Sequence, residues 1–318
     1  MFFMRGLDMS RILVTGAAGF IGSHLFGAFC ESNHEIWCLD NDWKNYSNPF
    51  RVLSPQSARD WKVDVLDVPA MIESFFSKVK FDAVIHLAAQ PSIQESWKKA
   101  DYDAKVNILG TINLLGLCQK YNVKRFVFAS TSAVYSPDSS GVYGEYHLLS
   151  PSTPYGISKL AAELYIKISG ISYAILRLGN VYGPRQVPLG ENQLIPRYLA
   201  HVFQGKRFVV NGDGKQRRDY IYVKDVANAF LKAVESKETG VFNISSGYSI
   251  SVLQILNLLN ALFERHDQPI LRWKHGPAKK GELRSVTLQN DLAKTVLDWE
   301  PETGLVKGLW ETIAAWPK

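Results

Sequence analysis

Arg11-Ile-Leu-Val-Thr-Gly-Ala-Ala-Gly-Phe-Ile-Gly22 is the stretch on which the fold of this chain turns. An apolar run suited to a buried parallel strand leads straight into Gly16, Gly19 and Gly22, spaced three and three. The first glycine lets the chain turn sharply out of the strand. The second removes a Cβ so that backbone N–H groups can approach phosphate, and the third lets a helix pack closely on the strand. A helix predicted over 21–31 would aim its N-terminus at the same anion. A flexible loop would also satisfy glycines taken alone. Here the next strand, 35–39, runs into the acid Asp40. Strand, turn, helix, strand and acid in that order mark a dinucleotide site. Asp40 would accept hydrogen bonds from the adenosine ribose. Its charge would repel a 2′-phosphate and no Arg sits beside it, so NAD is expected rather than NADP.

Outward from the turn, strands and helices alternate. Strands are predicted around 61–63, 83–87, 125–129 and 174–178, and helices at 69–79, 100–120 and 155–167. A Ser/Pro/Gly-rich loop fills 136–153. Alternation at this spacing means βαβ units and a doubly wound parallel sheet, an α/β fold of Rossmann type. After Gly183 the pattern changes. A loop at 184–192 is followed by helices at 194–204, 225–235 and 251–263, strands at 208–210, 220–223 and 241–244, and one last helix at 291–297. The expected organisation is an NAD-binding Rossmann domain over 9–180, its sheet completed by about 219–245. A smaller, interleaved α/β substrate-binding lobe would occupy 181–318.

At 318 residues, 46% hydrophobic and 21% charged, the composition is that of a soluble globular protein. The formal charge of +6 is spread along the chain instead of gathered in a block. It therefore suits an anionic small molecule, and no nucleic-acid partner is expected. Cys30, Cys38 and Cys118 lack metal-ligand spacing and cannot all pair, so they read as buried thiols in a reducing compartment, with no metal. The segment 1–10 is too short and too weakly apolar for a signal peptide, and no later run could span a bilayer. The cytoplasm is the expected location, with no membrane partner.

Tyr155-Gly-Ile-Ser-Lys159 places Tyr and Lys one turn apart on one helix face. A phenol ionises near pH ~10, too high for a base at neutral pH. A nearby ammonium and a positive nicotinamide ring would lower it. Thr131, at a strand end, can hydrogen-bond the same substrate oxygen. Asp64 is placed to meet the adenine edge or to stay a solvated loop carboxylate. His86, in an apolar strand end, reads as a core histidine.

With the glycine turn, His86-Leu-Ala-Ala89, Asn107-Ile-Leu-Gly-Thr-Ile-Asn113, Ser130-Thr-Ser-Ala-Val-Tyr135 and Pro154-Tyr-Gly-Ile-Ser-Lys159, the chain resembles the extended short-chain dehydrogenases. Arg177-Leu-Gly-Asn-Val-Tyr-Gly-Pro-Arg185 and Gly212-Asp-Gly-Lys-Gln-Arg-Arg-Asp-Tyr-Ile-Tyr-Val223 extend the likeness. Within that group it is similar to the NAD-dependent nucleotide-sugar epimerase/dehydratase family, of the UDP-glucose 4-epimerase kind. The resemblance implies that Thr131, Tyr155 and Lys159 are catalytic, that Lys159 also holds the nicotinamide ribose and that Tyr155 also contacts the cofactor. It implies cofactor contacts at Phe20, Ile21, Asn41 and Val65 beside the glycines, Asp40 and Asp64, and at Leu87, Ala88, Ala89 and Asn107. For a nucleotide-diphosphate sugar it implies Asn180, Gln193, Leu194, Val209 and Arg218, with Thr131 and Tyr155 at the sugar. Where the family shows Arg-x-Gly-Asp, this chain has Lys279-Lys-Gly-Glu282; Lys279 and Glu282 keep the charges but not the bidentate guanidinium.

The two positions after the catalytic Thr divide the family. Dehydratases carry Asp-Glu there, and decarboxylases a Glu in the second place; this chain has Ser132 and Ala133. Without those acids, elimination has no evident general acid. The expected activity is 4-epimerisation through a transient 4-keto sugar with Tyr155 as base. A nucleotide 4-ketosugar reductase is the alternative, and an NAD-binding sensor or scaffold without turnover is the reading from another class. Val286 lies about where the family sets pocket size. The resemblance also implies a homodimer through helices at 100–120 and 155–167, whose outer apolar residues could equally be core.

Overall fold

The computed structural model describes residues 10–29, 32, 34–41, 59–62, 64–66, 72–137, 140–188, 193–278 and 283–317. In chain order the strands begin with β1 (Arg11–Thr15), β2 (Glu35–Asp40), β3 (Arg59–Lys62), β4 (Ala83–His86), β5 (Arg125–Thr131), β6 (Val142–Tyr143) and β7 (Ser172–Leu178). They continue with β8 (Asn180–Tyr182), β9 (Phe208–Asn211), β10 (Arg217–Tyr222), β11 (Gly240–Ile244), β12 (Ser249–Ser251), β13 (Trp273–Gly276) and β14 (Ser285–Leu288). The helices are α1 (Gly22–Phe29), α2 (Glu73–Lys78), α3 (Ile93–Lys98), α4 (Ala100–Ala104), α5 (Gly110–Lys120) and α6 (Pro154–Ile168). After them come α7 (Leu194–Phe203), α8 (Val223–Glu235), α9 (Val252–Arg265), α10 (Asp291–Val296) and α11 (Leu305–Ala314).

Seven strands in the order β11-β7-β5-β4-β1-β2-β3, all parallel, form the main sheet. This is the doubly wound arrangement read from the sequence. Its strands are apolar on both faces because helices cover both. On one face Leu25, Phe26 and Phe29 of α1 and Val226 and Phe230 of α8 pack against Val14, Ile85 and Leu176. On the other, Leu114 and Leu117 of α5 and Ala162 and Ile166 of α6 cover Leu13, Val84 and Phe126. Thr15 pairs in register with His86 across β1 and β4, and His86 with Phe128 across β4 and β5. The carboxyl ends of the central strands therefore open at one edge of the sheet, where ligands of such folds bind.

A second group of strands follows. β10 pairs with β8, β12 and β14, and β14 with β6, while β9 pairs with β13. Its own core joins Tyr198 and Leu199 of α7, Leu256 and Leu259 of α9 and Leu309 and Ile313 of α11.

Several features depart from the sequence reading, which had no α3, β8, β12, β13 or β14. The helix expected at 100–120 is α4 and α5 joined by a π-turn, Lys105–Leu109. The loop at 136–153 contributes β6, paired to β14. The helix at 291–297 is not the last, because α11 follows it. Glycines at 304 and 308 lower helix propensity there, and the stripe of Leu305, Leu309 and Ile313 overrides them by packing into the second core. Among the described residues no helix is long and apolar enough to cross a membrane, and no cluster of His, Cys, Asp and Glu could hold a metal ion.

Candidate active site

The glycine turn has the geometry that a phosphate cradle requires. Gly16 has φ +70°, and a Cβ there would lie 2.6 Å from the Ala88 backbone nitrogen. A Cβ on Gly22 would run into the Gly16 carbonyl. Only Gly serves at either place. The Gly16 N–H donates to the Leu39 carbonyl at 2.8 Å. Asp40, buried at the end of β2, accepts a hydrogen bond from the Ala18 N–H at 3.0 Å. The acid that ends the second strand thus also braces the turn. Phe20 and Ile21 stand at the head of α1, packed against the second core.

Around this turn, Asn41 Nδ2 donates to Asp64 at 2.9 Å, and the other Asp64 oxygen accepts from the Leu66 N–H. Val65 is buried in the core beneath. Thr15 Oγ1 shares a 2.7 Å hydrogen bond with His86, accepts from the Ala88 N–H, and so links β1 to the Leu87-Ala88-Ala89 strand end. His86 is enclosed, its other ring nitrogen 3.1 Å from Thr111. Burial pushes its pKa down to about 3, which keeps it neutral: it is the core histidine that the sequence suggested. These features fit a dinucleotide: a tight anion turn, a helix N-terminus and a buried acid at the next strand end.

Tyr155 and Lys159 stand on the first turns of α6. That helix starts where it does because Thr153 accepts from the Gly156 N–H at 3.0 Å and Pro154 occupies the first turn. The Tyr155 phenol hydrogen-bonds Thr131 at the end of β5. Lys159, 2% exposed, donates to the Ala129 carbonyl at 3.0 Å, and its Nζ lies 4.6 Å from the centre of the Phe128 ring. Burial lowers the Lys159 pKa to about 8, against the pull of Asp103 and Glu163. Burial pushes the Tyr155 phenol up to about 12, with the Thr131 bond acting the other way. In the protein alone, desolvation therefore outweighs the help expected from Lys159.

Behind this pair lies a buried network. Arg177 Nε and Nη2 donate to the two oxygens of Glu163 at 3.0 and 2.6 Å, and Ser130 donates to Glu163 at 2.5 Å. Asn107 sits in the π-turn. Its carboxamide donates to the Gln90 carbonyl, Asp103 and Ser158 and accepts from the Gln90 N–H, so protein groups engage it.

A cleft of about 790 Å³ opens beside Thr131, bounded by Asn180, Leu194, Val209, Arg218 and Val286. A smaller pocket of about 240 Å³ adjoins it, sharing Thr131, Asn180 and Leu194, and is lined by Tyr155 and Gln193. Arg218 donates to the Leu283 carbonyl at 2.8 Å, which fixes its guanidinium at the cleft wall. Lys279 and Glu282 lie outside the described residues. Ser132 and Ala133 line the cleft, so no acid stands at those two positions. The sequence reading missed Gln94, Trp97, Arg197 and Tyr220, which also face the cleft. Two of them ride on α3, whose start was signalled by Ser92 and Glu95: Ser92 Oγ accepts from the Glu95 N–H at 3.2 Å.

The sequence matches the NAD dependent epimerase/dehydratase family over residues 12–245, well over half of the chain. The chain belongs to this family. It is 35% identical to the UDP-glucose 4-epimerase of Thermotoga maritima solved with UDP-glucose. That match covers 96% of this chain and 98% of the other, with a TM-score of 0.87. The UDP-glucose 4-epimerase of Thermus thermophilus, solved with NAD, is 32% identical, with 96% and 98% covered and a TM-score of 0.85. A dTDP-D-glucose 4,6-dehydratase of Dictyostelium discoideum is 35% identical over 269 residues, 78% of this chain and 61% of that protein. Membership thus spans epimerases and dehydratases of nucleotide sugars, and the side chains of the cleft must decide between them.

Proposed function

We propose that this chain binds NAD and interconverts nucleotide sugars, UDP-hexoses foremost, at C4 through a transient 4-keto sugar. One observation carries the reading. Tyr155, one helical turn from Lys159, is hydrogen-bonded to Thr131, and Thr131, Ser132 and Ala133 line the cleft, with no acid where elimination would need one. The relatives solved with NAD and with UDP-glucose support the choice of NAD and of a UDP-sugar.

NAD, held at the glycine turn and Asp40, would supply a positively charged ring able to accept a hydride from C4 and return it. Tyr155, as phenolate, accepts the proton of the 4-hydroxyl, and Thr131 orients that oxygen. Lys159 contributes an ammonium that water hardly screens, since the side chain is buried. Burial raises the phenol's pKa in the protein alone, and positive charge arriving with the cofactor would favour the phenolate. Asn180, Gln193 and Arg218 line these pockets and would hold the diphosphate and nucleotide while the sugar turns over. With no carboxylate at 132 or 133, the keto sugar has no partner for loss of its C6 hydroxyl and returns to an alcohol.

Tyr155→Phe keeps the ring and removes the proton carrier. Interconversion of UDP-glucose and UDP-galactose should fall by roughly 10²- to 10⁴-fold, with the NAD released on denaturation unchanged. A loss below about tenfold would contradict the role.

Two copies are inferred to pair through the α4–α6 surface, on whose elements Tyr102, Leu109, Ile157, Leu164, Tyr165 and Ile168 are exposed. The buried thiols Cys38 and Cys118 suit the reducing cytoplasm.

A further inference from the structure

Helix α4 carries a carboxylate that the mechanism above leaves unused. Asp103 is 1% exposed. Its Oδ1 accepts from Gln90 Nε2 at 2.8 Å and from Asn107 Nδ2 at 3.1 Å, and among the described residues no cation pairs with it directly. Asn107 Nδ2 also reaches Ser158 Oγ at 3.2 Å, and Ser158 donates to the Tyr155 carbonyl at 2.9 Å. The path runs from Asp103 into the turn of α6 that bears Tyr155 and Lys159. The π-turn Lys105–Leu109 sets Asn107 at the middle of it. A charge buried this deeply is costly unless opposite charge lies within reach.

We propose that Asp103 is a positioning residue for the Tyr155–Lys159 pair: its charge holds Lys159 as an ammonium, and its hydrogen bonds fix the helix turn on which both stand. The inference rests on the roles proposed above for Tyr155 and Lys159.

The groups around Lys159 single out Asp103. On α6 itself Glu163 lies one turn on, but Arg177 of β7 holds both of its oxygens, so that charge is compensated. From β4 comes His86, which burial keeps neutral. From α4 comes Asp103, with no such compensation. Farther out, Glu95 pairs with Lys98 on α3 and Asp101 with Lys105, all at the surface, where water screens them. The Asp103 charge supports protonation of both neighbours, since it raises the pKa of Lys159 and of Tyr155 alike.

The test is Asp103→Asn in the full-length, NAD-loaded protein. Both hydrogen bonds fall on one oxygen, so the carboxamide can keep them while the charge alone is lost. Both limbs of the pH profile of kcat/KM should then move to lower pH, by about one unit. Difference absorbance should show Tyr155 ionising earlier, identified by loss of the signal in Tyr155→Phe. Asp103→Glu should return the limbs toward their original position. If the Asn variant cannot be recovered folded, Asp103→Ser, which also keeps an acceptor without charge, is read in the same way. Limbs that stay in place, with only stability or kcat reduced, would overturn the inference and leave a structural role. Should Tyr155→Phe and Lys159→Met both keep their activity, the underlying reading fails and this one with it. Inactive Tyr155 and Lys159 variants beside an unmoved Asp103→Asn profile would sink this inference alone.

Discussion

His86 and His24 show what individual residues gain and lose by burial. His86 is closed between Thr15 and Thr111, and His24 sits 2.8 Å from the Pro184 carbonyl. Desolvation first, then the Lys159 charge, lowers His86 to about 3; for His24, desolvation also dominates and the value falls to about 4. In the unfolded chain both would take a proton near pH ~6.5. Between that pH and about 4 the unfolded state binds two more protons than the folded one, so stability is full above pH ~6.5 and drains as the pH falls. The expected slope is roughly 1.4 kcal/mol per pH unit for each histidine. Urea midpoints at pH 7 and pH 5 check this: His86→Gln should narrow the gap between them, and an unchanged gap would refute the assignment. At this scale the sequence was legible where chemistry is local. Tyr155 and Lys159 are one turn apart in any helix, and His86 lies inside an apolar strand end. Asp103 and Arg177 were not legible, because Asp103 acts through Asn107 on Ser158, which lies on another helix, and Arg177 meets Glu163 only once β7 lies against α6.

Among the elements, α6 is the one on which most depends. Thr153 and Pro154 start it, its inner face covers β5 and β7, and it carries both halves of the pair proposed to be catalytic. The Glu163–Arg177 salt bridge, 0% and 1% exposed at the side chains, locks it to β7. Removing one partner leaves the other charged and buried, so Arg177→Met should cost roughly 3–5 kcal/mol of stability. Glu163→Leu added to it should recover much of that loss, since no buried charge then remains. Chemical denaturation measures both; a single substitution costing under about 1 kcal/mol would show the pair to be dispensable. The π-turn after α4 was invisible from sequence because it has the same apolar spacing as the helices it joins. α3 was missed for a different reason: it is six residues long, too short for periodicity to register, although its Ser92 cap was there to read.

At the scale of the whole molecule, the order of strands and helices was readable because parallel βαβ units write themselves as alternation. The second group of strands was not. β6, β8, β10, β12 and β14 are short and come from segments far apart in the chain, so their pairing leaves no local pattern. The apolar surface of α4–α6 gives a prediction of its own. Light scattering should find a dimer, and Leu164→Glu with Ile168→Lys should yield monomers that still hold NAD; a wild-type monomer would refute the interface. The central claim is that hydride leaves C4 and comes back to it. Purified protein given UDP-glucose and no added cofactor tests it most directly, followed by NMR of the sugar and by nicotinamide absorbance. An equilibrium mixture of the two C4 epimers is expected, with no net accumulation of reduced cofactor. One stoichiometric round of oxidation, or turnover only when NADH is supplied, would contradict it.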